Sequence, residues 1–416
     1  MDRSLHKWLS ISFFNLLLVG ALGCLLRYKI AYSLPMVDQK FLLHAHSHFA
    51  FSGWVTQALM ALLVKYLADK TQTNHFARYR WILWANLITA YGMLFTFPFE
   101  GYALGSIIFS TASVFAGYAF AIQFWKDLNK NPTHTTANSF FKAALFFNIL
   151  SSFGAFSLAF MMATKSIQQD WYLAAIYFFL HFQYNGWFLF ACMGLLAYRL
   201  SSYGIPENKL KTAYYLFAAS CIPAYFLSAL WIPMPEWVYV LVVAAALAQL
   251  AGWVIIVIEI KKRLHDLKSL ISTFSSVFFM LCAIAFSIKL LLQASSAIPK
   301  LSYLTYGFRP IVIGYLHLVL LGVISLFIIS YSIAYHYMPL NNLKKTGIFI
   351  FVAGIILNEI LLLLEGVADL NYTVLPYINE GLLGAAIILF IGLLLMNIPV
   401  NPAPDLNNTS LKSMPV

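Results

Sequence analysis

His48-Phe-Ala-Phe-Ser-Gly53-Trp54, His181-Phe-Gln-Tyr-Asn-Gly186-Trp187 and His317-Leu-Val-Leu-Leu-Gly322-Val323 share one pattern, His-x4-Gly. The histidines lie 133 and 136 residues apart, each inside a long apolar run. An imidazole within a membrane helix is costly and marks a functional site. Three at near-equal intervals point to internal three-fold repetition and to one shared site. In an apolar bundle, imidazole is first of all a ligand for a metal or a haem.

The rest of the chain fits that setting. Of 416 residues, 61% are apolar and 10% charged, and the mean hydropathy is +0.78. Soluble domains carry about 25% charged residues, which excludes a soluble fold. Apolar runs long enough to span a bilayer lie at about 8–33, 40–66, 80–98, 102–125, 141–164, 171–198, 210–231, 235–260, 270–293, 309–335, 345–366 and 376–398. The expected fold is all-α: twelve transmembrane helices in a three-fold pseudo-symmetric bundle. It forms a single membrane domain over 1–400, followed by a disordered cytoplasmic tail over 401–416. The first apolar run is too long for a cleavable signal and lacks a small-residue cleavage site. Cys24, Cys192, Cys221 and Cys282 form no CxxC pair and read as small packing residues.

Net charge is +11. In a membrane protein this reports topology, and it implies no nucleic-acid partner. With alternate loops assigned to two sides, one side holds Arg27, Lys29, Lys40, Lys165, Lys289, Lys300 and Arg309, and the other holds the remaining 19 of 26 basic residues. Positive-inside bias then puts both termini in the cytoplasm of a cell inner membrane. Under this topology spans 2, 6 and 10 run in parallel from outside to inside. At 1.5 Å per residue, His48, His181 and His317 lie roughly 12, 16 and 12 Å below the outermost charge of their spans. They share one layer in the outer half of the bilayer.

The first phrase holds two further candidates, in His44-Ala-His46-Ser-His48. His44 and His48 share a helix face, and His46 points away. The glycine five residues on selects His48 as the ligand, with His46 as the fallback and His44 as a residue nearer the entrance. The glycines themselves suit close approach of helices or of a flat macrocycle. His6, His75, His134, His265 and His336 fall in loops or at span ends.

At these residues the chain resembles subunit I of the haem–copper oxidase superfamily, above all its nitric oxide reductase branch. The stretch around His46 and His48 is also similar to the NnrS-type haem–copper membrane proteins. The resemblance implies twelve spans, a three-fold pseudo-repeat and cytoplasmic termini. It implies a b-type haem held by His48 and His317, with His181 as a copper ligand. The implied activity is electron transfer or a response to nitric oxide or oxygen, and any catalysis would be that of an oxidoreductase. The pattern also departs from the family. Tyr315 stands where helix 10 supplies the ligand of the catalytic haem. Asn185 stands where the reductase branch has a glutamate. No histidine lies within 210–231, where a copper-binding pair belongs. A single imidazole cannot define a copper geometry, so the low-spin haem site is kept and the binuclear centre is degenerate. A tyrosinate such as Tyr315 can ligate haem iron; otherwise it is an interfacial aromatic.

Among charged residues, Arg309 and Lys300 stand above the histidine layer, where they can meet haem propionates or serve as interfacial anchors. Lys289 and Glu365 form a candidate ion pair, and Glu359 a candidate proton carrier. The absence of a CxxCH phrase excludes covalent c-type haem. Electrons would have to come from a partner subunit or donor. Two other classes fit less of the pattern. A twelve-span carrier would use the histidines for substrate or protons, but it predicts a six-helix echo that the sequence lacks. A direct metal binder would use His44, His46, His48, His181 and His317 themselves.

Overall fold

In the computed structural model, residues 3–130, 135–302 and 307–399 are described; the tail 401–416 and His134 lie outside them. The described chain is all-helical. Its main rods are α1 (Arg3–Ala31), α2 (Gln39–Thr71), α3 (Phe76–Glu100), α4 (Leu104–Lys130), α5 (Thr136–Ala163), α6 (169–202), α7 (Glu207–Cys221), α8 (Glu236–Lys262), α9 (Thr273–Ser295), α10 (Arg309–Ala334), α11 (Asn342–Leu370) and α12 (Ile378–Asn397). Side-chain oxygens of Asp38, Thr135, Ser272 and Asn341 accept from the first turns of α2, α5, α9 and α11. These are ordinary N-caps that satisfy otherwise orphaned donors.

Among the described residues ten helices are long and apolar enough to cross a membrane, against the twelve expected. The two that fall short have distinct reasons. α7 has 15 residues and stops before Pro223, which opens a 3-10 turn over Pro223–Ser228. Proline has no N–H to continue the ladder, and about 22 Å of helix is shorter than the hydrocarbon core. α6 is long enough, but His181, Gln183, Asn185 and their aromatic neighbours make its middle too polar. The same motif that marks the site removes this helix from the apolar set.

Packing singles out α2, α6 and α10. In α2, 83% of the apolar stretch is buried, against 28–44% in the other nine membrane-length helices. Residues 181–195 of α6 and 322–333 of α10 are buried without interruption. These stretches form the pillars of the bundle, and the remaining rods surround them. Neighbours in sequence pack side by side, and α12 returns to pack on α1 and close the ring.

Each pillar contains a π-helical turn: Ala50–Thr56, Phe182–Phe188 and Leu318–Ser325. Each begins within two residues of a motif histidine. Such turns are rare and concentrate at functional sites. They also hold the pillars together. Trp54 Nε1 donates to Ser325 Oγ at 2.8 Å, and Trp187 Nε1 donates to Thr56 Oγ1 at 3.3 Å. The motif glycines are explained by this packing. A Cβ on Gly53 would stand 2.7 Å from the Phe49 ring, one on Gly186 2.5 Å from Phe147 Cβ, and one on Gly322 3.3 Å from Ala285 Cβ. At the opposite end the pillars meet around Arg199. Its Nε donates to the Tyr331 hydroxyl at 3.0 Å and its Nη2 to that of Tyr337 at 2.9 Å. Its guanidinium lies 3.7 Å from the Tyr335 ring centroid. The Tyr337 hydroxyl in turn donates to Asp69 at the end of α2.

Candidate functional site

At the histidine layer of α2, the half-buried His46 turns its ring toward α1. Its ring lies within charge range of His317 on α10. Gly23 makes room for it: a Cβ there would stand 3.5 Å from His46 Cε1. His46 Nδ1 is buried and has no partner. His317 Nδ1 is bonded to the Ile313 carbonyl at 2.9 Å. As a carbonyl only accepts, Nδ1 carries the proton, and Nε2 is left as a free lone pair. This is the arrangement by which ligating histidines are oriented. The N-terminal part of α10 is incompletely covered. All eight residues of Ile311–Leu318 are half-buried and none is fully covered, although together they make two complete turns.

His48, expected as the partner of His317, has its ring among residues of α3 and the turn after it. Its Nε2 is bonded to the Tyr102 hydroxyl at 2.8 Å, and its ring stacks on Phe97 at 4.5 Å. Two residues along an α-helix are a rotation of about 200°, so His46 and His48 lie on different sides of α2. His44 shares the face of His48, edge-on to Tyr102 at 4.7 Å.

His181 is buried in α6 with both nitrogens engaged. Nε2 donates to the Cys221 carbonyl at 2.8 Å, and Nδ1 accepts from Asn185 Nδ2 at 3.1 Å. No lone pair is left for a metal. Lys289, 1% exposed, lies within charge range of His181. It donates to Gln293 Oε1 at 2.5 Å, not to Glu365 as the sequence suggested. Tyr315 packs edge-on against Tyr184 of α6 at 6.4 Å, on a different face of α10 from His317. Among the described residues no three His, Cys, Asp or Glu side chains come together as a metal cluster.

Arg27 was missed in the sequence except as an outer charge. It is half-buried near the C-terminal end of α1, within charge range of His46, His317, Glu365 and Arg309. Its place four residues beyond Gly23 on the same helix was the available signal. Arg309 is exposed at the rim beside it, and Lys300 is on the adjoining outer segment. Glu359 faces α10 from α11, with its Oε2 3.9 Å from where a Cβ on Gly314 would stand, and it accepts from Asn358 Nδ2 at 3.2 Å. The layer thus offers imidazoles of α2 and α10 within charge range of each other and a guanidinium within charge range of both. Comparison of the sequence with protein-family models and with curated proteins finds no match.

Proposed function

We propose that this is a haem-binding integral membrane protein in which His46 of α2 and His317 of α10 hold a b-type haem in the outer half of the bilayer. The observation that carries this reading is the pair itself. His317 has its tautomer fixed with Nε2 free, and within charge range of it stands the half-buried His46, whose Nδ1 is covered and has no partner. A buried polar atom without a partner is destabilising, and coordination removes that cost. When bound, such a haem supplies a reversible one-electron couple. The Ile313 carbonyl orients His317. Gly23 admits the His46 ring, and Arg27 and Arg309 offer positive charge for propionates. The Trp54–Ser325 bond keeps α2 and α10 in register.

Were His46 and His317 both to bind the iron, no position would be left for a gas, so electron transfer is the favoured role. His181 does not serve copper in this reading, and the oxidase-like second pocket is a hydrogen-bonded core. A donor or partner subunit would supply the electrons.

The architecture is read as twelve spans with three-fold pseudo-symmetry. Recurrence supports this beyond the motif. In two of the three repeats the residue six after the histidine is an indole, and it donates to the residue eight after the histidine in another repeat. The corresponding third pair, Val323 and Leu189, is apolar and buried. The charge asymmetry supports cytoplasmic termini in an inner membrane. The test is a haem assay on purified protein. About one non-covalent haem per chain is expected, with a low-spin spectrum, and a colourless, fully folded protein would overturn the proposal.

A further inference from the structure

We infer that the outer end of α2 carries a separate site for one late first-row divalent transition-metal ion, formed by His44, His48 and Tyr102. His44 and His48 are four residues apart on one helix face. This spacing lets two imidazoles of a single helix hold one ion. Their ring centroids are 6.4 Å apart, and Tyr102 closes the triangle at 4.7 Å from His44 and 5.9 Å from His48. With metal–nitrogen bonds of about 2.1 Å, two such rings sit roughly 5–6 Å apart, so closure takes only a small side-chain adjustment.

Two donor atoms are already placed for it. His48 Nε2 points at the Tyr102 hydroxyl, 2.8 Å away. His44 Nε2 is buried and has no partner, which is an unfilled acceptor on the same side. The phenol is held in advance. Gly101 has φ +59°, a left-handed backbone open to glycine, and a Cβ there would stand 2.3 Å from the Phe41 ring. Ser106 Oγ donates to the Gly101 carbonyl at 2.6 Å, and the Ser106 N–H donates to Glu100 Oε1 at 2.6 Å. This clamp sets Tyr102 over the histidine pair, and Phe97 stacked on His48 forms an apolar wall. Asp38 and Lys40, both in charge range of His44, have opposite signs and offset each other.

Imidazole donors suit zinc, copper and nickel. On binding, the two neutral imidazoles give their lone pairs. Tyr102 Oη bonds to the ion as its proton leaves to bulk water, and water takes the remaining position. The site lies on the face of α2 opposite His46, so it is independent of the haem reading.

The test is a titration of the full chain, purified in detergent and stripped by chelation, with zinc(II) alone and copper(II) alone. One ion per chain is expected. His44→Ala and His48→Ala should each abolish stoichiometric binding, His46→Ala should keep it, and Tyr102→Phe should weaken it about tenfold. His44 makes no hydrogen bond that the variant would lose, so a monodisperse His44→Ala protein is the decisive sample. Failure of the wild type to bind either ion, unchanged binding by His44→Ala, or equal loss in His46→Ala overturns the assignment.

Discussion

His46 and His48 lie two residues apart on different sides of α2, and we assign the haem to His46. The histidine phrase was legible in the sequence, but which member meets α1 and which meets Tyr102 was not. Matching glycines pointed to His48, whereas those glycines answer to the rings and methyls packed on them, Phe49, Phe147 and Ala285. The face that α2 turns to α1 depends on tertiary contacts such as Gly23, which no spacing in α2 encodes. The assignment makes a stability prediction. His48→Ala removes a hydrogen bond and a stacked ring, costing about 1–2 kcal/mol, and a thermal shift assay should show a modest fall in Tm with haem content unchanged. Gly186→Ala is expected to be worse for the fold than for the site. Its Cβ would meet Phe147 at 2.5 Å, and overpacking of this kind costs about 1–3 kcal/mol, read as a lower Tm.

At the level of the helix, the π turns account for what a straight-helix reading missed. Depth along the axis changes little across a π turn, so residue counts remain the basis for expecting the three histidines in one layer. Angular register does not survive, because a π turn carries an extra residue and rotates everything beyond it. Removing one residue from such a turn restores α geometry and turns the flanking half-helix by about 100°. Deletion of Ala50 is therefore predicted to swing His46 away from His317. Haem content should fall to background while the protein still inserts, measured by spectroscopy beside a membrane-fraction immunoblot. Helix α7 has a similar lesson at its end. Its apolar composition was plain, but Pro223 shortens the helical part in a way that hydropathy does not register.

Across the whole molecule hydropathy was most informative, since it pointed to an all-helical chain of apolar rods, ten of them of membrane-spanning length among the described residues. The three central pillars follow from the repeated motif, and their tie around Arg199 does not. Arg199 joins α6 to Tyr331 and Tyr337 of the α10 region and, through Tyr337, to Asp69 of α2. Arg199→Gln should cost about 1.5–3 kcal/mol, the worth of a charge-assisted hydrogen bond, and lower the Tm without altering the spectrum. Reporter fusions should place both termini in the cytoplasm; an outer terminus would refute the span count. The most direct check of the central claim compares reduced and oxidised optical spectra of purified wild type, His46→Ala, His48→Ala and His317→Ala. Low-spin haem bands should be present in the wild type and in His48→Ala, and absent from His46→Ala and His317→Ala. Bands that survive in His46→Ala, or vanish in His48→Ala alone, would contradict the account.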